Sequence, residues 1–183
     1  MMDSRERIKQ FKAVARHYRS VHQDLENRGH LPYRLTALGA WAASRPHHLY
    51  YFFSKLDLGQ YRLFLDLGSG DGVATCIAGL FTRAVGIEVD WDLCRLAAGA
   101  SRSLGLEGRS DFVCGDYRCQ PIWRADCLYV YPEKPIDSLE HILGEWQGTL
   151  LVYGHHFPPA HLFPLCCMKC GRERITAYRN PRH

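Results

Sequence analysis

The chain predicts a doubly wound α/β fold: a mostly parallel sheet closed by a C-terminal antiparallel hairpin, with helices ahead of the first sheet strand. Three observations carry this. The largely apolar run Leu63–Leu67 breaks into Gly68-Ser69-Gly70-Asp71-Gly72. A second apolar run, Ala84-Val85-Gly86-Ile87, ends in Glu88-Val89-Asp90. Beyond it, apolar runs of strand length alternate with segments of helical period, the pattern of parallel strands joined by crossover helices.

The elements follow in order. Ile8, Phe11, Ala15, Tyr18 and Leu25 recur at helical spacing, so Asp3–Asn27 reads as an amphipathic helix. Asp3 is its expected N-cap with Glu6 three residues on, and Gly29 its stop. The opposite face carries Arg5, Lys9, Lys12, Arg16 and Arg19. Such a face is usually solvated; a contact with nucleic acid or an acidic partner is its functional reading. Leu35–Ala43 reads as a short helix, and Ser44 as the N-cap of an aromatic-rich helix from Pro46 to Lys55. Strands are expected at Arg62–Leu67, Ala84–Val89, Asp111–Cys114, Cys127–Tyr131 and Thr149–Gly154. Helices are expected at Gly72–Phe81, Trp91–Leu104 and Ile136–Trp146. His161–Lys169 and Arg174–Arg179 read as a hairpin turning at Cys170-Gly171-Arg172.

Composition sets bounds. The chain has 183 residues, enough for one sizeable core, and a net charge of only +4. No apolar run approaches the roughly twenty residues of a membrane span, and the first residues are charged rather than a signal core. Of the eight cysteines, Cys76, Cys94, Cys114 and Cys127 fall within apolar patterns, where a reduced thiol packs as a small hydrophobe. The expectation is a reduced, cytoplasmic protein without membrane contact; oligomeric state is not readable.

The turn after the first sheet strand indicates the ligand. Glycines there let a ligand approach backbone that side chains would block. Glu88 follows about twenty residues later, the spacing at which a carboxylate accepts from ribose hydroxyls. The dinucleotide pattern G-x-G-x-x-G fails, because Val73 stands in place of its third glycine. Asp71, beside the helix start, satisfies that N-terminus itself and would repel phosphate. A ribose-bearing ligand with a cationic, amino-acid-like portion suits the turn better.

Asp66–Gly72 resembles the first motif of class I S-adenosylmethionine-dependent methyltransferases. Glu88 is similar to that family's acid after the second strand, and Gly115-Asp116-Tyr117 to its motif after the third. Ala125–Pro132 stands in the place of its fourth strand. The resemblance runs from about Leu63 to Tyr178, and the Asp-Leu-Gly-Ser-Gly-Asp-Gly form is especially like minimal protein-lysine methyltransferases. It implies a Rossmann-like domain over 61–183, with residues 1–60 as an N-terminal helical cap of the same domain, and S-adenosyl-L-methionine as cofactor. It implies that Asp66 faces the ligand's amino group and that Gly68 and Gly70 lie along its methionine part. Glu88 would hold the ribose, and Asp116 would accept from the adenine amino group beside Tyr117. Ser69, Asp71 and Val89 complete the implied binding set.

For catalysis, Tyr131-Pro132-Glu133-Lys134-Pro135 is the candidate acceptor loop. Tyr131 would orient an amine, and Glu133 would act as base or bind a cationic acceptor. This loop departs from the Asn/Asp-Pro-Pro-aromatic form of amide and nucleobase N-methyltransferases. The acceptor stays unidentified: a protein lysine or a small molecule is expected, with RNA behind them. His155 and His156 end the fifth sheet strand and are further candidate bases. Cys167-Met168-Lys169-Cys170 resembles half a zinc knuckle, but no second C-x-x-C exists, and no metal is assigned. Two other classes stay open. One is a non-catalytic binding module that keeps the fold and contacts protein or RNA through the first helix. The other is an oxidoreductase, which Val73 and Asp71 disfavour.

Overall fold

The computed structural model describes residues 2–29, 33–36, 39–42 and 44–180. It opens with α1 (Ser4–Asn27), where Asp3 Oδ1 accepts from the backbone N–H groups of Arg5 and Glu6 at 2.8 and 2.9 Å. Gly29 follows the helix at φ +77°, as its stop position requires. Where a short helix is expected over Leu35–Ala43, the chain instead forms an antiparallel hairpin. Strands β1 (Tyr33–Thr36) and β2 (Gly39–Ala42) pair Tyr33 with Ala42 and Thr36 with Gly39; residues 37, 38 and 43 lie outside the described residues. Nine residues containing Gly39 fall short of the roughly 12–15 that sustain a helix alone, and Tyr, Leu and Thr suit a strand. The N-terminal segment therefore runs helix, hairpin, helix. In α2 (Pro46–Lys55) the proline stands at the helix start, but Arg45 rather than Ser44 occupies the N-cap, with no side-chain cap bond.

The sheet strands are β3 (Leu63–Leu67), β4 (Arg83–Glu88), β5 (Ser110–Cys114), β6 (Cys127–Val130), β7 (Thr149–Tyr153), β8 (Phe163–Cys170) and β9 (Glu173–Arg179). Their order is β5-β4-β3-β6-β7-β9-β8. The first five are parallel, and β9 inserts antiparallel between β7 and β8. Order reverses between β3 and β6, so their carboxyl ends flank the crevice where an open α/β sheet takes ligands. Crossovers run through α3 (Val73–Ala78), α4 (Trp91–Ser103) and α5 (Asp137–Leu143), each shorter than its sequence pattern. The passage from β5 to β6 holds two short 3₁₀ turns, Tyr117–Cys119 and Ile122–Arg124.

One core face joins α1, α2 and α3 to the sheet through Tyr18, Leu49, Phe52, Phe53, Phe64 and Ile77. The other packs α5 and Ile122 against Leu65, Leu128, Leu150 and Val152. Cys76, Cys94 and Cys127 are buried as expected; Cys114 is exposed, because β5 is an edge strand. Among the described residues no helix is long and apolar enough to cross a membrane.

Candidate active site

The glycine-rich turn is fixed by backbone bonds to the neighbouring strand. Gly68 and Ser69 donate to the Ile87 carbonyl at 2.9 and 3.1 Å. Gly68 adopts φ +81° with open space where a Cβ would stand, so a ligand can lie against its backbone. Gly72 sits at φ +86°, and a Cβ there would come within 2.7 Å of Ala97 and Phe112, so glycine is what lets the loop close onto the helix and sheet behind it.

A pocket of about 350 Å³ opens at this turn. It brings together Asp66, Gly68, Ser69 and Asp71 of the expected binding set with Tyr131 and Glu133 of the expected acceptor loop. Gly70, Glu88, Val89, Asp116 and Tyr117 are not among its lining residues. Glu88 is buried at the end of β4 and supports the loop from behind, its two oxygens accepting from Gly70 N and Asp90 N, each at 2.8 Å. Asp116 accepts from Arg118, with 2.6 Å to the guanidinium, and that partner holds its carboxyl below the usual range.

Asp66 is 2% exposed and accepts a 2.7 Å bond from the Thr75 hydroxyl. Burial pushes its pKa up to about 7; the Thr75 bond opposes this, and the charges of Glu88 and Asp71 add to it. Asp71 departs from its expected role. Gly72 is the N-cap of α3, and Asp71 reaches Val73 N only at 3.4 Å. Its principal partner is His22 of α1, whose Nε2 lies 2.7 Å from Asp71 Oδ2. The buried Tyr18 hydroxyl donates to the Asp71 carbonyl at 3.0 Å. The first helix is thereby fastened to the turn.

The far wall holds residues that sequence reasoning had not assigned: Ser44, Tyr129 and Phe157, with His156 realising one of two candidates. Tyr129 had a legible signal, since it precedes Tyr131 by two residues and shares its strand face. Ser69 Oγ and Tyr129 Oη are sealed from solvent and make no well-aligned hydrogen bond. Ser44 comes near enough to Tyr129 to oppose the rise that burial imposes on its pKa, without forming such a bond. Tyr131 is 45% exposed, its ring tilted at 57° against Tyr153 with centroids 4.8 Å apart. Burial, then the Glu173 charge, raises its pKa, so it keeps its proton at neutral pH. Glu133 and His156 are exposed at the mouth.

The cysteine motif does not assemble as a knuckle. Cys167 and Cys170 both lie in β8, three residues apart, so they face opposite sides of the strand. Among the described residues no three His, Cys, Asp or Glu side chains are grouped as metal ligands would be.

No protein-family model matches the chain, and comparison with curated proteins finds no match. Solved structures do match. An RNA methyltransferase from Salinibacter ruber, in complex with S-adenosyl-L-homocysteine, superposes with a TM-score of 0.68 at 22% identity, covering 78% of this chain and 95% of that one. A Geobacter sulfurreducens methyltransferase gives 0.63 at 18%, covering 89% and 87%. Mitomycin 7-O-methyltransferase gives 0.60 at 16%, covering 73% of this chain and 53% of that one. The chain has the class I S-adenosylmethionine-dependent methyltransferase fold. In that fold the pocket beside Asp66 and Gly68 stands at the carboxyl ends of β3 and β6, the two strands at which sheet order reverses.

Proposed function

We propose that this protein binds S-adenosyl-L-methionine and transfers its methyl group to an acceptor entering past Tyr131, Glu133 and His156. The observation that carries this reading is the pocket itself. It joins the glycine-rich turn to the end of β6, with the buried carboxylate of Asp66 and the open backbone of Gly68 both in its lining. The donor set fits the group: a carboxylate at Asp66 for an ammonium, open backbone at Gly68, and Glu88 at the end of β4 for a ribose. Each carboxylate oxygen of Glu88 has a second lone pair, so its bonds to Gly70 and Asp90 leave capacity for hydroxyl donors. Asp116 and Tyr117 would meet the adenine once Asp116 exchanges its Arg118 contact. Bound there, S-adenosyl-L-methionine supplies an already activated methyl group, so the protein's task is positioning. Tyr131, protonated at neutral pH, orients the acceptor through its hydroxyl. Glu133 and His156 stand where an acceptor's proton would leave. A protein lysine or a small molecule is compatible with this mouth, whose carboxylate and aromatic rings suit an amine.

Titration calorimetry with S-adenosylmethionine, S-adenosylhomocysteine and a nicotinamide dinucleotide tests the reading. Micromolar binding of the first two alone supports it, and labelled methyl transfer then identifies the acceptor. Binding of the dinucleotide in their place would overturn it.

A further inference from the structure

The basic face of α1 does not take part in the pocket just described. Arg5, Lys9, Lys12, Arg16 and Arg19 are all exposed. At about 100° per residue they fall within an arc of about 80°, a single stripe about 21 Å long with a charge every 5 Å or so. Among the described residues none of the five appears in an ion pair. No acidic residue occurs between Glu6 and Asp24. Between them the side chains of Arg5, Lys9, Lys12 and Arg16 leave a shallow hollow over Ile8 and Ala13.

At its C-terminal end the stripe runs into a second hollow, of about 480 Å³, that contains Arg19, His22, Arg45, His47 and His48. Glu26 is the acid on its lip. This hollow adjoins the candidate active site at two points. His22 bonds Asp71, and Arg45 follows Ser44, with Asp71 and Ser44 lining the pocket beyond. The cations of the stripe thus lead to a hollow that adjoins the pocket on its Asp71 and Ser44 side.

We propose that this stripe binds the phosphodiester backbone of a single-stranded nucleic acid and guides the strand toward the pocket beside Asp71. Same-sign charges at a regular interval, free of acids for four helical turns, match a polymer with one negative charge per unit. A lipid surface fits less well. The apolar side of α1 is spent on the protein: Val14, Ala15 and Tyr18 are buried, and Phe11 stacks on Tyr50 at 4.2 Å. A single strand fits better than a duplex, because one narrow line of charge tracks one backbone. The binding stands on the stripe alone. That the strand also carries the methyl acceptor rests on the methyltransferase reading, and it would move RNA ahead of lysine.

The test is fluorescence anisotropy with a mixed-sequence single-stranded RNA about ten nucleotides long, with poly-glutamate and anionic phosphatidylserine vesicles as rival probes. Five phosphate contacts give a slope of about −3.5 in log affinity against log salt, or roughly a hundredfold loss between about 50 and 200 mM salt. The variant Lys9→Gln/Lys12→Gln/Arg16→Gln should reduce the slope to about −1.4, with S-adenosylmethionine affinity and unfolding midpoint unchanged. Arg95→Gln/Arg102→Gln, on α4, should change nothing. No RNA binding at about 50 mM salt, equal retention by poly-glutamate, or a triple variant with an unaltered slope overturns the proposal. If the triple variant fails to fold, the slope of the unmodified protein decides. RNA binding without S-adenosylmethionine binding would support the stripe while removing the methyltransferase reading.

Discussion

Asp66 offers the sharpest quantitative test. Its carboxyl, 2% exposed, has a pKa pushed up to about 7. A ligand ammonium placed against it favours the ionised form, so binding below pH 7 must expel a proton. The ionised fraction is about 9% at pH 6 and about 76% at pH 7.5, an eightfold change set by the value of about 7. Over the same range an α-ammonium with a pKa of about 7.8 loses about a third of its charge, leaving a net gain in affinity of about fivefold. Calorimetry in two buffers of different ionisation enthalpy should find about 0.9 proton released at pH 6 and almost no net release at pH 7.5, where uptake of about 0.3 by the ligand ammonium offsets the release of about 0.2 from Asp66. Asp66→Asn should bind more weakly and without proton release. The linkage also has a stability arm. A carboxyl whose folded pKa lies above its unfolded value stabilises least at high pH: the chain loses stability between about pH 4 and pH 7, by at most about 4 kcal/mol. Asp66→Asn should flatten that loss, because the amide does not titrate, while the Thr75 bond survives on the amide oxygen. Affinity that is flat from pH 6 to 7.5, with no proton release, would refute the reasoning.

The other predictions concern the same turn. Removing the His22 contact with His22→Ala leaves the nearly buried Asp71 short of its main partner, which should cost about 1–3 kcal/mol and lower the thermal midpoint by several degrees. Gly72→Ala places a methyl within 2.7 Å of Phe112 at a left-handed backbone position, for a loss of about 2–4 kcal/mol in chemical denaturation. Glu133→Ala should lower methyl-transfer turnover by about a hundredfold or more with cofactor affinity unchanged, since Glu133 is exposed at the acceptor side. Glu88→Gln keeps the shape of the carboxylate but sets an amide N–H₂ against one of two backbone N–H groups. It should weaken S-adenosylmethionine binding and destabilise by about 1–3 kcal/mol, and calorimetry paired with thermal unfolding reads both effects.

Much of the parallel sheet was legible because its signals are local. Leu63–Leu67 and Cys127–Val130 are apolar runs of strand length, and Gly68 and Gly72 mark a turn that needs positive φ. Asp3 declares a helix start and does cap; Asp90, not read as a cap, caps α4 by accepting from Leu93 N at 3.0 Å. The failure at Leu35–Ala43 was also local in origin. Small residues such as Ala37, Ala40, Ala42 and Ala43 raise helix propensity, but a short segment takes the structure its pairing partner offers, and here the partner is the other half of the same segment. Helix ends were overrun at α3 and α5 because apolar periodicity continues through Leu80, Phe81 and Trp146, which are packed by the loops that follow the helices.

In the site the division is between chemistry and contact. Asp66, Gly68, Ser69 and Tyr131 could be read because residue type and motif spacing specify them. Asp71 was read as a helix cap because sequence shows only its neighbours along the chain. Its strongest contact comes from His22, 49 residues earlier, and no local pattern encodes that distance. The consequence reaches beyond one carboxylate. Tyr18 and His22 lie on the same helix as Arg16 and Arg19, within a turn or so of each other, so the groups that fasten α1 to the glycine-rich turn and the cations that face solvent are held in one rigid element. Titrating S-adenosylmethionine with and without bound RNA reads whether the two faces of that element are coupled: a changed affinity means they are, and equal affinity means that they act independently.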